Sequence, residues 1–428
     1  MRKLNIAIIH TRLNCLDGVS IEAEKLGKAY ESLNCNIFQI AGKICKKSRI
    51  KSLEISEANH LNPKIIKLNE EAYSRKLSDK QRKKIIKRIY YYSDMIKPKL
   101  KNFIIKNKIN LLSVENIFSL PVNISLTIAV FDIINELNLP CIARHHDFYW
   151  DMGKYLRCEA NFKDIFNRFF LPKHTNIINV VINKAARDSL KKNKGMNSIV
   201  VYNKFNFRDV DKINKYYLRK RFQIRNDEII FLQPTKILGR KKIERSIELV
   251  SLFKKRFGKR CVLVITGPTD HDERYRQKLI KIAKKLNVKI ISTYEYTTVN
   301  KKSTDSFNIL PKGFMYPPAD IITLPSDYEG FGNPVIESAM YKKPLVVNKY
   351  PILNEILDFG FKFIVMNKKV TSKILNEVHR AIVDRDHTKK ITEHNFKIAY
   401  KYFSLNLLKK ELKLLIKKAI KIRNNSIQ

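Results

Sequence analysis

Short apolar runs rich in Ile, Val and Leu recur along the 428 residues, with amphipathic stretches between them. In the first half they are "LNIAII", "NIFQIA", "INLLSVEN", "PCIARHH", "IINVVIN" and "SIVVYN". In the second half they are "EIIFLQP", "CVLVITG", "VKIIST", "DIITLP", "PLVVNK" and "FKFIVM". Runs of this length predict buried strands, and their alternation with helical patterns predicts parallel α/β sheets. The two series part near residues 203–225. That break predicts two doubly wound, Rossmann-like domains facing a cleft, 1–205 and 206–395, followed by a basic amphipathic helix over 396–428.

Two basic stretches carry a helical pattern. The segment 80–108, "KQRKKIIKRIYYYSDMIKPKLKNFIIKNK", reads as a solvated helix pair covering the first sheet; the alternative is contact with lipid headgroups or an anionic acceptor. In the tail, Leu408, Leu412, Leu415, Ala419 and Ile422 share one face and lysines cover the other. Such a helix can lie on a membrane. Packing back across its own domains is the favoured reading.

Composition narrows the function classes. The chain is too long for one ordinary core, which agrees with two domains. It carries 84 Lys and Arg against 40 Asp and Glu, a formal charge of +44. Lys, Ile and Asn are abundant together, the usage an AT-rich genome imposes. The functional readings of the charge are an anionic membrane surface, nucleic acid or acidic substrates. With one Trp and no nucleic-acid-binding motif, nucleic acid is set aside. No apolar run reaches the roughly 18 residues of a membrane span, and "MRKLNIAIIH" reads as a first strand rather than a leader. Six cysteines (Cys15, Cys35, Cys45, Cys141, Cys158, Cys261) form no CxxC pair. That scatter points away from zinc and redox motifs and toward a reducing cytoplasm, with the inner membrane face as a second location.

Four stretches carry chemistry. In "PSDYEGFGNPVIESAMYKKP" (325–344) a strand leads through a glycine loop into a helix, with Asn333 as the cap and Pro334 in the first helical position. A helix N-terminus takes anions. Glu329 in the loop and Glu337 one turn into the helix stand on either side to accept hydroxyl hydrogens, an arrangement that suits a nucleotide sugar. The bland alternative is an ordinary strand–turn–helix in which Glu337 favours the helix start. In "QPTKILGRKKIE" (233–244), Lys236, Arg240, Lys241 and Lys242 crowd a loop where cations would stabilise a leaving nucleoside diphosphate; chance clustering in a lysine-rich chain competes. In "ARHHDFYWD" (143–151), His145, His146 and Asp147 end a strand. Neighbouring strand residues point to opposite faces, so one histidine in the cleft is preferred to a metal site. In "NCLDGVSIEAEKLGKAY" (14–30), Asp17-Gly18-Val19-Ser20 opens a helix toward an acceptor or phosphate, without the GxGxxG of a dehydrogenase. Asp-x-Asp pairs at Asp209/Asp211, Asp270/Asp272 and Asp384/Asp386 sit in unrelated contexts, and no metal is inferred.

Together these stretches resemble retaining glycosyltransferases of family four, which have the GT-B fold. "EGFGNPVIE" is similar to their E-x7-E signature, and "LDGVSIEAEK", "ENIFSLPVNI", "RHHDFYW", "QPTKILGRKK", "TGP" and "GFGNPVIESAMYKKPLVVNKYP" extend the likeness. They look most like a subgroup that includes mannosylglucosyl-phosphoglycerate synthases. The resemblance implies that Glu329 holds donor sugar hydroxyls and Glu337 the ribose hydroxyls, while Phe331, Gly332 and Asn333 offer backbone contacts. It implies that Lys241 binds phosphate, with Lys236, Arg240 and Gly267 beside it. His146 would lie against the transferred sugar and Gly18 near the reaction centre. Lys236 departs from the family's arginine, giving up a bidentate fork for a point charge. After Trp150, "DMGKYLR" departs from the subgroup's Glu-Arg pairs.

The expected function is therefore retaining transfer of a hexose from a UDP- or GDP-linked sugar to a hydroxyl acceptor of phosphoglycerate, lipid-linked sugar or polysaccharide type. The resemblance implies front-face attack without a covalent intermediate and without a permanently bound cofactor. A GT-B nucleotide-sugar epimerase is the alternative within the fold. A catalytically inactive sugar- or membrane-binding protein is the alternative outside enzymes.

Overall fold

The structure, a computed structural model, describes residues 3–15, 17–46, 48–74, 76–207, 215–267, 272–293 and 313–425. The chain forms two compact units, Met1–Lys204 with Leu405–Gln428, and Phe205–Ser404.

In the first unit the strands are β1 (Asn5–Leu13), β2 (Asn36–Ile44), β3 (Lys51–Glu54), β4 (Leu111–Glu115), β5 (Cys141–His145), β6 (Ile177–Val181) and β7 (Ile199–Val200). They make a seven-stranded parallel sheet in the order β3-β2-β1-β4-β5-β6-β7. In the second unit, β8 (Ile229–Gln233), β9 (Cys261–Ile265), β10 (Lys289–Ser292), β11 (Ile321–Leu324), β12 (Leu345–Asn348) and β13 (Ile364–Met366) make a parallel sheet in the order β10-β9-β8-β11-β12-β13. Each apolar run singled out above contains or overlaps one of these strands. The added strand, β3, is the exposed edge segment "KSLE", which pairs through its backbone and has no apolar pattern to reveal it.

Strand pleating explains why both faces are apolar. Ala7 and Ile9 of β1 face a core with Leu112, Val114 and Ala143, closed by the helices Asp79–Lys106 and Ile124–Glu136. Ile6 and Ile8 face the opposite core with Ala23, Leu26, Leu111 and Ile142. The stretch expected as a helix pair is one helix, Asp79–Lys106, opened by a Ser78/Gln81 capping box. Its buried stripe Ile85, Ile89, Ser93, Ile96, Leu100, Ile104 runs past Pro98 unbroken, and Pro98 is exposed, where water can hydrate the carbonyl it leaves unpaired.

The tail differs from the expected single helix over 396–428. A helix Arg385–Phe403 ends in the second unit, and a separate helix, Leu405–Asn425, belongs to the first. The break at Ser404 lies where the chain returns, beside the outgoing strand: the Phe205 N–H donates to the Phe403 carbonyl at 2.8 Å. Leu408, Leu412, Leu415 and Ala419 are buried against β1, β5 and the Gly18–Glu31 helix, with Ile422 partly buried beside them. The apolar face is thus used inside the fold, which removes the surface a membrane would need. No described helix is long and apolar enough to cross a membrane.

Two of the six cysteines scattered along the sequence are joined. Cys15 and Cys45, just past β1 and β2, form a disulfide, because parallel pairing of Leu13 with Ile44 brings the two strand ends together. Cys35, Cys141, Cys158 and Cys261 are free and buried.

If the tail helix is an integral part of the first core, Leu412→Ala, at a site 1% exposed, should cost about 2–5 kcal/mol. Thermal unfolding followed by circular dichroism should show the lowered midpoint.

Candidate functional site

In the second unit the strand order reverses between β8 and β11, so the loops after their C-terminal ends flank a crevice. These are the two loops that carry the expected donor residues. They are stapled together. Arg245 Nη1 donates to the Pro325 carbonyl at 3.0 Å and to Asp327 at 2.5 Å. The Asp327 N–H donates to the Arg240 carbonyl at 3.1 Å, and Arg240 Nη1 to the Tyr328 carbonyl at 2.9 Å.

This stapling brings Lys241 Nζ to both carboxylate oxygens of Glu329, at 2.6 and 2.7 Å, with both side chains buried. Arg240 lies 3.5 Å from the same carboxylate. Burial pulls the Lys241 pKa down; Glu329 opposes that, while the charges of Arg240 and Lys236 add to it. Lys241 and Arg240 thus share one carboxylate while the charge of Lys236 also reaches Lys241, a surplus that an anion would balance. Lys236 itself is exposed.

The helix Asn333–Met340 starts differently from the expectation. Gly332 is the cap, at φ +91°, Asn333 is the first helical residue and Pro334 the second. A Cβ on Gly332 would stand 2.2 Å from the Tyr350 hydroxyl, so only glycine fits. Glu337 follows on the helix and accepts the Tyr316 hydroxyl at 2.7 Å; burial and that carboxylate push the Tyr316 pKa up. Phe331 is buried with its ring 5.9 Å from that of Phe403, and its carbonyl accepts the Tyr350 hydroxyl at 3.3 Å. Gly267 has a packing reason of its own: a Cβ there would lie 2.4 Å from the Thr235 carbonyl and 2.5 Å from the Lys236 nitrogen.

In the first unit the reversal falls between β1 and β4. Asp17 caps the Gly18–Glu31 helix, accepting the Ser20 N–H and hydroxyl, each at 2.9 Å. Gly18 opens that helix, with no atom within 4 Å of where a Cβ would stand. At the end of β5 the two histidines part. His145 is buried, its Nε2 3.0 Å from Asn179 Oδ1, and burial pushes its pKa down to about 4. His146, one residue on, sets its Nε2 2.6 Å from Glu115.

Sequence reasoning missed the partners of His146. Glu115 ends β4, Arg144 lies in β5 and Glu22 in the first helix; Arg144 stands 3.6 Å from Glu22 and 3.9 Å from Glu115. The signal available was a charged residue inside an otherwise buried strand, "SVEN" and "IARHH". Among the described residues, no group of three or more His, Cys, Asp or Glu side chains is placed to hold a metal ion. Asp384 caps a helix by accepting the His387 N–H at 3.0 Å, and Asp272 caps another through Tyr275. Asp209, Asp211 and Asp270 lie outside the described residues.

Two parallel α/β units with these switch points define a GT-B protein. A solved glycosyltransferase from Rickettsia africae superposes with TM-score 0.68 at 15% identity, covering 98% of this chain and 100% of that one. Anabaena Alr3699/HepE, solved with UDP and glucose, gives 0.67 at 12%, covering 97% and 99%. Residues 215–397 match the family Glycosyl transferases group 1. The group 1 likeness thus falls on the second unit, and the chain as a whole has the fold of these solved glycosyltransferases. It is also similar to the mannosylglucosylglycerate synthase of Thermotoga maritima, at 28% identity over 95% of this chain and 98% of that protein, in agreement with the subgroup suspected from the motifs.

The buried histidines predict acid sensitivity. The unfolded chain protonates His145 near the ordinary 6.5, whereas the folded chain resists until about 4. The unfolded state binds more protons between those values, so stability is lost as pH falls through that window, by on the order of 3 kcal/mol for a shift of this size. His60, also pushed to about 4 by burial, acts in the same direction. Melting temperatures measured from pH 7 to pH 4 should fall, and His145→Gln should flatten the slope.

Proposed function

We propose that this glycosyltransferase moves a hexose, with retention, from a UDP- or GDP-linked sugar to a hydroxyl of a small anionic acceptor of the glycerate type. The observation that carries the reading is the buried Lys241–Glu329 pair beside Arg240, with Glu337 a helix turn beyond the loop. In this reading the diphosphate rests against Lys236, Arg240, Lys241 and the first amides of the Asn333–Met340 helix. Glu337 accepts ribose hydroxyls and Glu329 accepts hydroxyls of the sugar. Gly18 and His146 belong to the acceptor side, with His146 against the transferred hexose. The C1–phosphate bond breaks, the acceptor oxygen bonds C1 on the same face, and its proton passes to the leaving phosphate oxygen. No residue of this chain needs to become covalently attached.

The acceptor class has two supports. The Thermotoga relative is named for a product that contains glycerate. In the first unit, burial depresses the His60 pKa, His10, Arg12 and Lys154 add to the shift and Asp17 opposes it, so positive charge outweighs negative beside His60, as a carboxylate or phosphate would need.

Incubating the protein with UDP-glucose or GDP-mannose, with and without D-glycerate or glucosylglycerate, and scoring nucleotide release tests the reading. Release only with acceptor fits transfer. Free altered sugar without acceptor would instead mark an epimerase, and no release from any donor an inactive binder. Glu337→Gln should weaken the bare nucleoside diphosphate by about 1.5–3 kcal/mol, the value of a charge-assisted contact. Calorimetric titration of a folded mutant at wild-type affinity would remove Glu337 from the site.

A further inference from the structure

Glu115 and Asn116, at the end of β4, grip the end of β5 from three sides. The Asn116 N–H donates to the Arg144 carbonyl at 2.9 Å. Asn116 Oδ1 accepts the His146 N–H at 2.7 Å, from a residue held at φ +54°. The Glu115 carboxylate sits 2.6 Å from His146 Nε2. A fourth contact holds Glu115 itself: its carbonyl, which can only accept, takes the Nδ1–H of His10 at 2.7 Å. Backbone and imidazole of His146 are therefore fixed by two consecutive residues.

We propose that Glu115 is the positioning residue for His146 in sugar transfer, an inference that rests on the reading of His146 given above. Facing a carboxylate, His146 Nε2 carries its hydrogen, which turns the Nδ1 edge away from Glu115 and leaves it for a sugar hydroxyl. Glu115 is fully buried, its Oε1 has no hydrogen-bond partner among the described residues, and Arg144 stands 3.9 Å from its other oxygen. A buried charge pair of this kind adds little stability over a well-packed apolar substitute. What it supplies is a fixed ring orientation and a negative charge behind the imidazole, both of which matter as positive charge develops at C1.

The full chain is compared as wild type, Glu115→Gln, His146→Ala and the double variant, with whichever of UDP-glucose and GDP-mannose the wild type turns over. Glu115→Gln should lower kcat about 10- to 100-fold, leave affinity for the bare nucleotide within about twofold, and have no further effect in the His146→Ala background, as expected of residues that act as one unit. A downfield imidazole proton, present in the wild type, should be absent from both single variants in the proton NMR spectrum. Equal losses from Glu115→Gln with and without His146 would overturn the proposal in favour of a structural role. So would wild-type turnover by Glu115→Gln while His146→Ala is impaired. If His146→Ala transfers normally, the reading of His146 itself fails. Should Glu115→Gln not fold, the wild-type and His146→Ala spectra still decide, because no His146-dependent downfield proton would mean no such bond.

Discussion

Lys241 and Glu329 are 88 positions apart, yet they form a buried ion pair because the reversal of strand order between β8 and β11 places their two loops side by side. A charge taken out of water is costly unless its partner is held close. That requirement accounts for the rest of the local construction. Arg245, in the helix Ile243–Phe257 that follows β8, ties down the loop after β11, Arg240 bridges to Tyr328, and Gly332 and Gly267 allow close approaches that a side chain would block. The pair is therefore part of the scaffold that holds these two loops together.

The first unit applies the same constraint with a different charge pattern. Glu22, Glu115 and Arg144 are buried together near the ends of β4 and β5. Lys204, 1% exposed, bonds Glu411 of the tail helix at 3.0 Å, and its carbonyl accepts Lys25 at 2.6 Å. Burial lowers the Lys204 pKa and Glu411 opposes the shift. The tail is thus held by an apolar stripe and by a charge contact next to the point where the chain leaves the unit. The lysines on the outer face of that helix, such as Lys410, Lys413, Lys417 and Lys418, are exposed, so their charge adds to the surface field and little to the fold.

Much of the fold was legible in the sequence because a parallel sheet covered on both faces needs continuous apolar strands, and those runs stand out one by one. The tail's stripe of Leu408, Leu412, Leu415 and Ala419 was legible for the same reason, as was the parting of His145 and His146, which follows from strand geometry. The strand β3 was not, since an exposed edge strand is specified by backbone pairing with β2 and not by side-chain burial. Nor was the break at Ser404, because the pattern before and after it is helical, and only the return of the chain to the first unit requires a turn there.

Composition and local pattern alone determined the class of elements, their order, and the loops richest in cations and glutamates. Tertiary structure decided who meets whom. It joined Cys15 to Cys45 through strand register, put Tyr316 on Glu337, and set Glu115 behind His146. Each of these contacts spans 21 or more positions. A pairing across that distance depends on strand order and register, properties of the whole sheet that no local window of sequence contains.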